Sequence, residues 1–129
     1  MEARRSPAKR LWSNYWDETV TGHFIPGQNQ ETSIKRRVCE EVALTCDKVE
    51  FLFKYPRRSR YKNIGIDKEI GHVFKTDHIK REAIVLNKDE VSEFRFSGIE
   101  DPVRRINSAC EKFTSWFLLA FEKFLGGVY

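Results

Sequence analysis

Apolar positions change period along the chain, and the changes mark its elements. Ile34, Val38 and Val42 recur every four residues behind a polar lead of Asn29, Glu31, Thr32 and Ser33. That is one face of a helix with cap-type residues ahead of it, and predicts a helix over about 32–43. Arg36, Arg37, Glu40 and Glu41 fall on the other side, as on a surface helix laced with ion pairs. Lys48–Tyr55 alternates through VEFLFK and predicts a strand, which Pro56 breaks into a basic loop, PRRSRYKNIG. Asp67–Lys75, the short apolar run Ala83–Leu86, and Val91–Phe96 predict three more strands. Ahead of the helix, a strand is expected to end near Phe24, with a loop at Pro26–Gly27. Gly98 and Pro102 mark a turn. Val103–Leu125 is largely helical with a break near Thr114, and its stripe of Phe117, Leu118, Phe121, Phe124 and Leu125 reads as core.

Composition narrows the class. The chain has 129 residues with 13 % aromatic and 33 % charged, enough for one globular domain, residues 1–129, with a real core. No apolar run approaches a membrane span and no signal peptide is visible at MEARRSPAKR, so a membrane partner is not expected. Cys39, Cys46 and Cys110 are odd in number and irregularly spaced. They follow no zinc pattern and fit reduced thiols in a cytoplasmic protein, with Cys39 expected buried beside Val38. The net charge of +4 raises nucleic acid as a partner, but acids interleave with bases through most of the chain. Tyr55 and Tyr61 beside the basic Arg57–Lys62 resemble a stacking surface only loosely, and no nucleic-acid partner is expected. Arg4–Arg10 and Arg57–Lys62 read at least as well as a pocket for an anionic small molecule.

Some residue pairs carry candidate chemistry. Glu40 and Glu41 offer oxygen ligands to Mg²⁺ or Mn²⁺, and Arg37 is their neighbour on the helix surface. Asp67 and Glu69 are two apart on a predicted strand and share a face, which invites either a cation or solvent. His72 points to the opposite strand face from Glu69, and His78 falls in a loop from which it could approach.

The spacing G-x5-Q-x7-R-R-V-x-E-E-x-A-L, from Gly22 to Leu44, resembles a degenerate Nudix box, with Gln28, Arg37 and Ala43 departing from the usual pattern. An Arg at position 37 fits the type I isopentenyl diphosphate isomerase branch. Arg4–His23 (RRSPAKRLWSNYWDETVTGH) resembles that branch's R-R-x-x-x-K-x-x-W-P-G-x-W-T-N-S-x-C-G-H block without a gap. DKEIGHVF (Asp67–Phe74), NKDEVSEFRF (Asn87–Phe96) and FTSWF (Phe113–Phe117) resemble three further blocks in the family's order.

The resemblance implies an α/β fold: a Nudix-type α/β/α sandwich with a mixed sheet, lacking N-terminal edge elements. The family's domain and two of its metal histidines begin upstream of this chain's first residue, so a truncated relative is expected, or a homodimer or partner chain covering the exposed sheet edge. The resemblance assigns His23, Asp67, Glu69, Glu41 and Glu40 to metal positions for Mg²⁺ or Mn²⁺. It assigns Arg5, Lys9 and Arg37 to the substrate diphosphate, joined by Arg57, which stands where the family has a Tyr. Glu69 takes the proton-transfer position, and Trp116 that of the aromatic whose π-face meets a developing carbocation. The isoprenyl tail would lie against Trp116 and Trp16. Thr21 takes the second acid/base position, where the family has Cys. A hydroxyl is far less acidic than a thiol, and losing one acid/base partner costs about 10²–10⁴-fold in rate. The implied function is interconversion of isopentenyl and dimethylallyl diphosphate, weakened at the proton relay. The alternatives are a Nudix hydrolase of another diphosphate, and a binding module that keeps the clamp without the relay.

Overall fold

A computed structural model describes residues 1–77 and 79–127, without the Asp67 side chain. In chain order the elements are β1 (Glu2–Arg5), β2 (Trp16–Glu18), α1 (Gln30–Val42), β3 (Glu50–Tyr61), β4 (Gly65–Lys75), β5 (Val91–Arg95), α2 (Glu100–Ala109) and α3 (Ser115–Gly126). Single 3₁₀ turns occupy Arg81–Ala83 and Cys110–Lys112. The residues form two compact units, Met1–Val49 with Thr76–Phe96, and Glu50–Lys75 with Ser97–Tyr129.

In the first unit β1 is the central strand, with β2 and β5 antiparallel on either side. The β1–β5 register slips between Arg4 and Arg5. The chain then loops back through Trp12 and Asn14, both left-handed at φ 50° and 65°. Helix α1 starts at Asn29, whose side chain accepts from the Thr32 amide at 3.3 Å. It ends on Ala43 in the left-handed region, φ 57°. The last carbonyls of a helix need donors. Here the Asn87 amide donates to the Glu41 carbonyl at 2.9 Å and the Val85 amide to Val42 at 3.1 Å. That docking fixes the segment leading into β5. Val38, Val42, Leu44 and Cys46 form the core, with Ile34, Ile84 and Leu86 against it.

The second unit is a long β3–β4 ribbon with helices α2 and α3. Side chains alternate strictly along β3: Phe53, Tyr55, Ser59 and Tyr61 are buried, while Lys54, Pro56, Arg58 and Arg60 are exposed. Ala120 of α3 joins Phe53 and Tyr55 in one cluster. The Tyr55 hydroxyl donates to the Trp116 carbonyl at 3.2 Å, and Ser115 bonds Ser59 at 2.9 Å. Gly71 lies opposite Tyr55, and a Cβ there would meet the ring carbon Cε1 at 2.6 Å, so only glycine lets the ring lie across β4.

The helix over 32–43 and the strands starting near Lys48 and Asp67 and at Val91 lie where expected, and Thr114 is the predicted break, as the N-cap of α3. Other expectations are corrected. No strand reaches Phe24, because the β1–β2 ladder ends at the Glu2–Glu18 pair. Pro56 does not break β3: a two-stranded ribbon leaves each strand one unpaired edge, where a missing N–H is tolerated. Ala83–Leu86 is not a strand; Ile84 and Leu86 pack on the α1 core, and the segment joins neither sheet among the described residues. Pro102 marks no turn but sits in the first turn of α2, where its amide would lack an acceptor anyway. Glu41 is buried and Cys39 exposed, the reverse of the expectation, since position 41 follows Val38 by three and shares its face. Tyr55 and Tyr61 are buried, so they offer no stacking surface.

Candidate functional site

Four of the expected site residues gather in the first unit. Arg5, Lys9, Thr21 and Glu41 line one concavity together with Asp17 and Glu90. Arg5 lies on β1 at the register slip, so its side chain turns into the following loop. Its guanidinium donates to the Leu11 carbonyl at 3.0 Å and to Trp12 at 3.1 Å, and meets Asp17 at 3.5 Å. Arg5 is thus as much the brace of the loop as a wall of the concavity. Lys9 pairs with Glu90 at 2.6 Å. Thr21 donates to Asp17 at 3.5 Å.

Arg37 links this cluster to the helix. It pairs with Glu40 at 2.6 Å, with Glu41, and with Glu90 at 3.6 Å, and lies 3.5 Å from the Thr21 carbonyl. Gly22 makes the approach possible, for a Cβ there would stand 2.9 Å from the Arg37 Nε. The two ends of the G-x5-Q-x7-R-R spacing are therefore one contact.

The acids respond differently to this crowding. Burial pushes the Glu41 carboxyl up to about 7 against the pull of Arg37 and Lys9, with the charges of Glu90 and Asp17 adding to the rise. Partial burial works the same way on Glu90, but the Lys9 hydrogen bond and the charges of Lys9, Arg37 and Arg5 outweigh it and hold Glu90 below the usual carboxylate range. Hydrogen bonds from Arg36 and then Arg37 lower exposed Glu40. Desolvation of Arg37 is outweighed by its Glu40 hydrogen bond and by the charges of Glu41, Glu90 and Glu40, so its own value rises.

Sequence reasoning missed Asp17 and Glu90. Both stand inside family-like blocks, Asp17 in Arg4–His23 and Glu90 in Asn87–Phe96, and that was the available signal. With them each cation of the cluster has a carboxylate partner, and Glu18 adds a further acid to the lining, so the concavity is not a positive pocket.

Arg57, Asp67, Glu69 and Trp116 lie in the second unit. Arg57 and Glu69 are directly opposite in the β3–β4 register and form an ion pair. The Arg57 guanidinium carbon also stands 4.8 Å from the ring centroid of buried Trp116. Arg57, expected to face substrate, is engaged by two other expected site residues. Asp67 pairs with Ser59 in the ribbon, and its role as a ligand lies outside the described side chains. His78 lies outside the described residues. Trp16, expected beside the isoprenyl tail, is buried in the first unit with the Arg95 guanidinium 4.7 Å from its ring.

The donors suit a hard divalent cation in type, since Glu41, Asp17 and Glu90 supply oxygen to one concavity. They are not gathered into a ready cage. Among the described residues no three His, Cys, Asp or Glu side chains group as a metal site, and His23 is exposed.

The chain matches the model of the NUDIX domain over residues 3–117, a stretch that runs through both units. It is 30 % identical over 122 residues to the isopentenyl-diphosphate Delta-isomerase of Pectobacterium atrosepticum, covering 93 % of this chain and 65 % of that protein. It is 32 % identical over 117 residues to isopentenyl-diphosphate Delta-isomerase 1 of Photorhabdus laumondii subsp. laumondii, covering 88 % and 64 %. The Halobacterium salinarum isopentenyl-diphosphate Delta-isomerase is 35 % identical over a shorter 71 residues, 53 % of this chain and 33 % of that protein. The chain thus spans just under two thirds of the length of the first two relatives. Among the described residues no helix is long and apolar enough to cross a membrane. With a match from residue 3 to residue 117 and the α/β architecture that goes with it, the chain belongs to the Nudix family.

Proposed function

We propose that the chain acts on isopentenyl diphosphate as the isopentenyl-diphosphate isomerases it resembles are named to do, interconverting it with dimethylallyl diphosphate. The observation that carries this reading is the concavity of the first unit, where Arg5, Lys9 and Glu41, three residues that match that family's pattern, stand together with Thr21 at the position of its Cys. Lys9 and Arg37 would hold the diphosphate oxygens through charge-assisted hydrogen bonds, and Arg5 would shape the wall. Because their present partners are carboxylates, the diphosphate must displace Glu90 and Glu41 or bring positive charge with it. Glu41 would hold Mg²⁺ or Mn²⁺ there, and the ion would supply that charge. Glu69 is assigned the proton on the alkene and Trp116 the developing positive charge, both on the family resemblance. The three free thiols fit work in the cytoplasm.

A second reading, binding without turnover, is favoured by one observation. Arg57 occupies both Glu69 and the face of Trp116, the two groups the proton chemistry would use. Thr21 in place of a thiol weighs the same way.

Proton NMR of isopentenyl diphosphate with the protein and Mg²⁺ in D₂O separates the readings. Dimethylallyl diphosphate carrying deuterium in a methyl group is the expected product. Bound but unchanged substrate would leave only the clamp. If the substrate neither binds nor changes, the diphosphate assignment itself fails.

A further inference from the structure

The β3–β4 ribbon has a second face that the reading above does not use. The inward face packs Phe53, Tyr55 and Tyr61 with α3. On the outward face the exposed cations are Lys54, Arg58, Arg60 and Lys68. Among the described side chains no acid shares that face, and none of the four has an ion pair. Arg58 and Lys68 are directly opposite in the register, a like-charge pair that weakens a ribbon standing alone. Between the cations stand aliphatic side chains: Ile66, opposite Arg60, is 51 % exposed and Ile70, opposite Pro56, is 55 % exposed. The ribbon's turn adds Lys62 and Ile64, the latter 53 % exposed. On this face charge of one sign stands together with exposed isoleucines.

We propose that this face docks on an anionic phospholipid surface. Uniform positive charge calls for a polyanion, and the isoleucines select which one. In a bilayer interface each aliphatic chain leaves water for acyl chains while the long cationic side chains reach back to the phosphates. Nucleic-acid bases stack on aromatic rings instead; the tyrosines of this ribbon are turned inward, and the exposed Phe51, at the end away from the turn, packs edge-on against Phe74. The strands alternate, so lying flat on a membrane presents every outward cation and isoleucine at once and leaves the α3 side untouched.

The test is co-sedimentation of the full chain with phosphatidylcholine vesicles, with and without about a third phosphatidylserine. Binding is expected only with phosphatidylserine and is expected to fall as salt rises. The double substitution Arg58→Glu with Lys68→Glu should lower it by about a hundredfold or more, since each cation near an anionic surface is worth about fivefold and each substitution also adds an anion. Ile66→Ser with Ile70→Ser should lower it by about tenfold while leaving any binding to a DNA duplex unchanged. All four positions are exposed, and circular dichroism checks that each variant is folded. The proposal is overturned if phosphatidylserine gives no binding, or if pure phosphatidylcholine binds equally. It is overturned as well if the isoleucine pair leaves vesicle binding intact, which makes the face a general polyanion surface. Sedimentation velocity without vesicles supplies the last check: a dimer abolished by the isoleucine pair would show that a second copy covers the face.

Discussion

Arg37 is the residue on which the first unit's chemistry converges, and the contacts define what its loss does. Arg37→Ala would leave Glu41 buried beside Glu90 and Asp17 without its guanidinium. We expect destabilisation of about 2–3 kcal/mol in urea titration, since an acid left buried costs more than the ion pair contributes. Isothermal titration should also show diphosphate affinity down by about tenfold or more. Unchanged affinity would remove Arg37 from the clamp. Glu41 supplies a sign as well as a size. Its folded value lies near 7 against an ordinary 4.5, so between those limits the folded chain holds a proton that the unfolded chain has lost. Stability therefore falls as pH rises from 4.5 to 7, by up to about 3 kcal/mol. Glu41→Gln should flatten the urea midpoint across that window; a slope equal to that of the unsubstituted chain would mean another group is titrating. At this scale the helix spacing made Arg37 and Glu41 neighbours, but it put Glu41 in water. Nothing local in the sequence says that the segment before β5 will close over it.

Among the elements, α3 and the ribbon show how far periodicity reaches. The break at Thr114 was legible because a β-region residue with a short hydroxyl is a good cap, and Thr114 accepts from the Phe117 amide at 3.3 Å while fully buried. Thr114→Ala should cost about 1–2 kcal/mol in thermal denaturation, and Thr114→Ser should restore much of it. If alanine costs nothing, the cap bond is not holding the helix. The ribbon was legible only in part. Alternation found the Lys48–Tyr55 half of β3, and Pro56 then read as a terminator. Proline ends a strand that has neighbours on both sides. Beside one neighbour it does not, and the number of neighbours is not written in local sequence.

At the scale of the whole molecule, a ligand that binds only the folded chain raises its stability by mass action. At a hundredfold over its dissociation constant the gain is about 2.7 kcal/mol, which for a chain of this length is about 10 °C in melting temperature. Differential scanning fluorimetry with inorganic pyrophosphate and Mg²⁺ together should show such a shift, larger than with either alone, because a concavity whose cations are already paired with carboxylates needs the cation and the anion together. A shift with pyrophosphate alone would mean that Lys9 and Arg37 leave their carboxylates readily and that the cation is dispensable.

The sequence by itself determined the family, the α/β class, the main helix, most of the strands and the candidate residues, because motif spacing and hydrophobic period are properties of short stretches. Only the tertiary structure decided which charges meet. Glu90 reaches Lys9 and Arg37 because helix-end carbonyls capture the segment before β5. Arg57 reaches Glu69 because the strand register sets them opposite each other, and it reaches Trp116 because α3 lies on that face of the ribbon. Pairings of this kind join residues far apart in the chain. Their energy depends on burial and on partners that no local pattern records, which is why the candidate list could be read from the sequence and its electrostatic balance could not.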